Sequence, residues 1–236
     1  MIKLAIGLFK FAKLGKIGIT LISMIVSLAV YAMLFGWRYA AGFIALLFLH
    51  EAGHYVAAQQ RGLNVGPPTF IPFVGAWIEL KEQPVDVETE AYVAMAGPLV
   101  GTLGACVFYF IGCETGDRTM LAIAYSGFFL NFFNLIPISP LDGGRITAIL
   151  SPRVWFAGLP ILVAAFVYRP SALLVMIGVA AIPALKQAWN YDASDPEHAR
   201  YYGVSVQKKL EYGALYLGLV AYLAIMTHEV HGMIGE

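Results

Sequence analysis

The stretch FIALLFLHEAGHYVAAQQ, residues 43–60, decides how this chain is read. It opens as an unbroken apolar run and then sets His50, Glu51 and His54 inside it. Residues four apart share one face of a helix, so the His50 and His54 imidazoles can both address one zinc ion. Glu51, beside the first histidine, can take a proton from an attacking water. The same pattern arises by chance in many soluble helices. In a lipid-embedded helix chance is a poor account, because each such group costs about 2–3 kcal/mol or more without a partner.

The rest of the chain puts this helix in a membrane. Of 236 residues, 59% are hydrophobic and 13% charged, with a mean hydropathy of +0.72. Too few charges exist to cover a water-soluble surface. An aromatic content of 14% excludes disorder. A formal net charge of zero argues against a nucleic-acid partner. Two cysteines, Cys106 and Cys113, are too few for a disulfide scaffold or a thiolate zinc site, and read as packing residues.

Apolar stretches that can cross or enter a bilayer fall at about 17–36, 39–60, 91–112, 119–136, 154–168, 170–185 and 211–227. The expected fold is an all-α multi-span membrane protein of six or seven helices, the fifth and sixth stretches being short enough for one tight hairpin. Residues 62–90 are apolar but broken by Pro and Gly. They suggest a small membrane-associated β-hairpin near 69–81, with strands at 69–74 and 76–81 and Gly75 at the bend. The domain reading is a membrane bundle over 1–186 with a catalytic core at 39–150, a cytosolic linker at 187–210, and a final transmembrane helix at 211–227. The N-terminal MIKLAIGLFKFAKLGK resembles an amphipathic surface helix more than a signal peptide.

Zinc needs a third protein ligand and keeps a fourth position open in catalytic sites. Cys106 and Cys113 fall towards the outer end of their span. Asp142 follows the fourth span in NLIPISPLDGGR, residues 134–145, where Pro137 and Pro140 stop the helix and Gly143 and Gly144 permit close backbone approach. The expected site is therefore His50, His54 and Asp142 as ligands of one Zn2+ per chain, with Glu51 as general base. Asn134 either positions substrate or caps the broken end of the fourth helix. Gly97, Pro98, Gly101 and Gly104 read as a close-packing face, and His228 and His231 as a solvated tail.

These residues resemble the site-2 protease family of intramembrane zinc metalloproteases. The likeness rests on His50-Glu51-Ala52-Gly53-His54, on Asn134 through Asp142-Gly143, and on Ala96-Gly97-Pro98 between them, over roughly residues 39–150. Ser139 stands where the family frequently has proline. The resemblance implies hydrolysis of a peptide bond in or near a transmembrane segment of a membrane-tethered protein, with the hairpin offering an edge strand to the unwound substrate. A divalent-metal transporter and a non-catalytic membrane scaffold are the competing classes. A transporter needs several sites along a path, and a scaffold has no use for an intact base.

Orientation follows from the basic residues. With an inner N-terminus and alternating spans, twelve of the fifteen lysines and arginines lie inside, and only Arg38, Arg118 and Arg169 outside. The N-terminus is then cytosolic, the C-terminus external, and the active site nearer the cytosolic face. In a variant lacking Cys106 and Cys113, a cysteine at position 234 should react with an impermeant reagent outside intact cells, and one at 195 should not. The opposite pattern inverts the topology.

Overall fold

The computed structural model describes residues 2–66, 68–73, 75–77 and 84–235, with 2–17 and 75–77 described in backbone only. The chain is mainly helical: α1 (Ile2–Phe35), α2 (Trp37–Gln60), α3 (Val87–Thr115), α4 (Arg118–Asn134), α5 (Asp142–Thr147), α6 (Gly158–Tyr168), α7 (Ala172–Trp189), α8 (Pro196–Tyr202) and α9 (Val206–Gly235). Between α2 and α3, β1 (Thr69–Ile71) pairs antiparallel with β2 (Gly75–Trp77).

Local chemistry sets the helix boundaries. Asp86 accepts from the Thr89 N–H and Asp117 from the Thr119 N–H, satisfying first-turn donors of α3 and α4. Gly116, at φ 66°, ends α3 in the left-handed region that glycine enters at little cost. Asp195 caps α8, with Pro196 at its first position.

Among the described residues, five helical segments are long and apolar enough to cross a membrane: Gly18–Phe35, Trp37–Gln60, Val87–Thr115, Ala172–Trp189 and Val206–Gly235. Two of the seven expected spans are shorter. α4 has 17 residues and α6 has 11, below the ~20 of a straight crossing. A 3-10 turn at Pro152–Ala157 leads into α6.

The charged residues collect at opposite ends of the bundle. Arg38, at the start of α2, pairs with Asp117 in the α3–α4 turn. At the other end Arg145 meets Glu90, Lys208 meets Glu88, and the Arg61 guanidinium lies 4.2 Å from the centre of the Tyr92 ring. α2 and α3 approach closely because small residues face each other: a Cβ on Gly53 would strike the Ala96 carbonyl, and one on Gly104 would strike Leu49 and Leu46. The expected close-packing face is therefore present, and it does more than pack, as the site shows.

Three expectations change. Gly75 lies inside β2 opposite Ile71, not at the bend. The bend includes Pro72 and Phe73, the latter with φ 65°, and residues 78–81 of the expected second strand lie outside the described residues. Residues 187–210 are not a plain linker: α7 runs to Trp189, α8 occupies Pro196–Tyr202, and α9 begins at Val206. His228 and His231 are exposed but sit on α9 rather than on a loose tail, because the buried stripe Leu219, Leu223 and Val230 keeps helical spacing past Thr227.

The segment from Leu135 to Leu141 is non-helical and leads into α5, and protein covers it. The Tyr216 hydroxyl donates to the Leu135 carbonyl at 2.6 Å, and Trp155 Nε1 donates to the Gly144 carbonyl at 2.7 Å. A Cβ on Gly143 would overlap the Leu135 carbonyl, whose backbone cannot yield. Gly143→Val should therefore destabilise the protein by the roughly 1–3 kcal/mol or more typical of overpacking and lower its thermal midpoint in detergent. Gly218→Ala, with nothing within 4 Å, should not. Equal midpoints for the two variants would remove the packing account of Gly143.

Candidate metal centre

α2 presents His50 and His54 one turn apart, and α5 begins with Asp142; all three are buried. His50 Nε2 and His54 Nε2 are 3.1 Å apart, and Asp142 Oδ2 lies 3.1 Å from the first and 3.3 Å from the second. Four-coordinate zinc with bonds of about 2.0–2.1 Å spaces its ligands by about 3.3–3.4 Å. The triangle is thus close to the right size for three corners of that tetrahedron. Among the described residues this is the one cluster of three or more His, Cys, Asp or Glu side chains that could hold an ion. Two imidazoles and a carboxylate are a donor set suited to zinc.

The opposite nitrogen of each ring is fixed by a hydrogen bond. His54 Nδ1 lies 2.8 Å from the Val93 carbonyl, which can only accept, so Nδ1 carries the proton and Nε2 keeps its lone pair. His50 Nδ1 lies 2.8 Å from Asn131 Oδ1, while Asn131 Nδ2 donates to the Gly127 carbonyl at 2.8 Å. That second bond sets the amide so that its oxygen faces the histidine, and His50 also presents Nε2 to the centre. Room for this comes from α3. A Cβ on Gly97 would land on the His54 ring, and one on Gly101 on the Asn131 amide.

The centre lies in the wall of a cavity of about 900 Å3. Aromatic side chains line much of it, with Tyr31, Phe35, Tyr39 and Phe73 from α1, α2 and the β1–β2 bend, and Phe129 and Phe133 from α4. Tyr39 OH and Ser126 Oγ, 2.6 Å apart, bridge α2 to α4. Glu51, His54, Asn134 and Arg145 also line the cavity. Glu51 is buried, and neither its carboxylate nor the Asn134 amide hydrogen-bonds to any described residue.

All five residues singled out from the sequence, His50, Glu51, His54, Asn134 and Asp142, therefore line the one cavity. Asn131 was missed. Its signal was available: a carboxamide in an apolar helix is costly without a partner, and Asn131 lies three residues before Asn134, on the same face. The Val93 carbonyl carried no signal, since every residue has one.

With this geometry in hand, the comparisons with known proteins are specific. Residues 38–116 match the model of Peptidase family M50. The site-2 protease likeness read from the two motifs is borne out. The M50 segment contains His50, Glu51 and His54 and ends before Asp142. The chain is 33% identical over 112 residues to zinc metalloprotease MJ0392 of Methanocaldococcus jannaschii, covering 44% of this chain and 32% of that protein. It is 32% identical over 127 residues to putative zinc metalloprotease Rip3 of Mycobacterium tuberculosis, covering 50% and 32%. It is 26% identical over 153 residues to probable zinc metalloprotease EGY1, chloroplastic, of Oryza sativa, covering 45% and 26%. The matched region spans about a quarter to a third of the length of these curated relatives. A solved structure described as a site-2 protease from Methanocaldococcus jannaschii aligns with a TM-score of 0.47 and 19% identity, over 75% of this chain and 90% of that one.

Elemental analysis of purified protein should find zinc held by wild type and largely lost in His54→Ala and Asp142→Ala. Asn131→Ala should bind it more weakly, by the 10–100-fold typical when the partner that orients a ligand is removed. Undiminished zinc in Asp142→Ala would exclude that carboxylate as a ligand.

Proposed function

We propose that this chain is an intramembrane zinc metalloendopeptidase that hydrolyses a peptide bond in or near a transmembrane segment of a membrane-tethered protein. One observation carries the reading. A triangle of two imidazole nitrogens and one carboxylate oxygen, 3.1–3.3 Å on a side, sits beside a buried Glu51 in a largely apolar cavity.

His50, His54 and Asp142 would hold one zinc ion. When bound, zinc supplies Lewis acidity that polarises the scissile carbonyl and acidifies water. The other work belongs to the chain. Val93 and Asn131 hold the two imidazoles with Nε2 facing inwards. Glu51 is one residue from His50, about 100° around the helix, so its carboxylate is off the ligand face and free to act on water. It accepts a proton from the attacking water and delivers it to the departing amine nitrogen. The apolar wall excludes bulk solvent, which keeps that proton transfer between Glu51 and the reactants. Asn134 offers an amide to the backbone of the unwound substrate.

The catalytic core is residues 39–150, and the spans alternate across the membrane, α6 and α7 forming either two passes or one re-entrant hairpin, with a cytosolic N-terminus and an external C-terminus in both cases. Residues 187–210 lie on the cytosolic side. A divalent-metal transporter is the second reading, and the single metal cluster among the described residues gives it no second stop along a path.

Glu51→Gln keeps size and hydrogen bonding but cannot take the proton. Purified Glu51→Gln should retain zinc while cleavage of membrane-spanning substrates falls by at least the 10²–10⁴ typical of general acid–base catalysis. Full activity would sink the mechanism, and loss of zinc together with activity would make Glu51 a ligand.

A further inference from the structure

Among the described residues Arg145 is the one lysine or arginine lining the cavity. It lies three residues after Asp142 in α5, on the same face of that short helix. Its Nε donates to Glu90 Oε1 at 3.3 Å, and the other oxygen of that carboxylate accepts from the Tyr201 hydroxyl at 2.7 Å. A guanidinium has five N–H donors, and an arginine built only to tie two helices together commonly grips its carboxylate with two of them. Here Glu90 takes one, from the side. Neither Nη atom hydrogen-bonds to a described residue, and the side chain is 21% exposed.

The cavity is thus polarised along its length. Tyr31, Phe35 and Tyr39 lie towards the end of the bundle where Arg38 meets Asp117, and Arg145 lies towards the end where it meets Glu90. An unwound peptide threaded through it meets aromatic rings on one side of the metal triangle and a half-used guanidinium on the other. The carboxylate made at the cut remains at the triangle. Arg145, one helical turn or about 5 Å away, meets the residues beyond it. At ~3.3 Å per extended residue plus the length of a side chain, its partner lies on the order of two to four residues from the scissile bond.

We infer that Arg145 is a specificity-determining residue that receives an acidic side chain of the substrate, on the Glu90 side of the cut bond. This rests on the peptidase reading above. A carboxylate is the group that a planar fork of Nη donors recognises best, in contrast to the apolar selection made by the aromatic wall. The tie to Glu90 pre-orients the guanidinium, so little side-chain entropy is lost when substrate arrives.

The test uses the full-length enzyme in detergent and synthetic membrane-spanning peptides carrying Asp, Asn or Lys at each position two to four residues from the cut, with kcat and KM measured separately. At one of these positions wild type should favour Asp over Lys about tenfold or more in kcat/KM, mainly through KM, as expected for one charge-assisted hydrogen bond. The preference should flatten in Arg145→Gln and reverse in Arg145→Glu, which should favour Lys. A reversal cannot come from a misfolded enzyme. Equal KM values for Asp, Asn and Lys in wild type would overturn the inference while leaving the peptidase reading intact. So would an Arg145→Gln enzyme that is slower on every peptide but keeps the order, since that marks a purely structural tie. If wild type holding zinc cuts no peptide, the peptidase reading fails and this inference fails with it.

Discussion

An imidazole cannot lie between two packed membrane helices unless one of them gives up a side chain, and the centre of this protein depends on that constraint. His54 occupies the volume that a Cβ of Gly97 would need, and Gly53 lets the α2 backbone close onto the Ala96 carbonyl. The same approach brings the Val93 carbonyl to 2.8 Å from His54 Nδ1. One turn further along α3, Gly101 makes room for Asn131, which holds His50. The glycines of α3 therefore make room for the contacts that set the tautomers of two proposed ligands on α2, which touch α3 and α4 through their outer nitrogens. In an apolar bundle this satisfaction matters, because an imidazole N–H left unpaired would carry the desolvation cost of a buried polar group.

The third proposed ligand reaches the centre by a different device. α4 ends at Asn134, and the chain then runs without helix until α5 begins at Asp142. Such a segment survives among apolar helices only where its carbonyls are answered. Tyr216 of α9 answers Leu135, and Trp155 answers Gly144 at the start of α5. Gly143 and Gly144 fold back onto the backbone of Leu135 to Ser139 with no side chain between. Asp142 thus sits at the root of a compact knot, and α9, far along the sequence, helps to hold it. The final helix is part of the machinery that positions the site.

The site was more legible in the sequence than the architecture. His50, Glu51 and His54 announce themselves because ionisable groups in an apolar run need a reason, and Asp142 follows from proline and glycine around a lone acid after a span. Asn131 obeyed the same rule and was passed over, since an uncharged amide draws less notice than a carboxylate. The spans were blurred where hydropathy and helix length part company. α4 and α6 are apolar but short, and α9 continues through the polar Thr227-His228-Glu229 because its buried stripe persists. The bend at Pro72-Phe73 was misplaced onto Gly75 because glycine is the usual occupant of a positive φ, and here Phe73 adopts it at 65°. What holds Phe73 there is tertiary: its N–H donates to the Tyr31 hydroxyl at 2.9 Å, and the two rings pack at 5.5 Å.

That contact joins two others that bind the first strand and its flanks to α1, and together they limit how the small sheet can be used. Thr20 Oγ1 donates to the Pro68 carbonyl at 2.6 Å, the Phe70 N–H donates to Ser23 Oγ at 3.1 Å, and the Phe73 N–H is taken by Tyr31. These side chains of α1 occupy one edge of β1 from Pro68 to Phe73, and β2 occupies the other. β1 therefore has no spare edge along this stretch. Among the described residues β2 pairs on one side only. Under the proposed peptidase reading, a substrate segment added to this sheet as a strand would join on β2, and α1 acts as the brace that holds β1 in place rather than as a competitor for that edge.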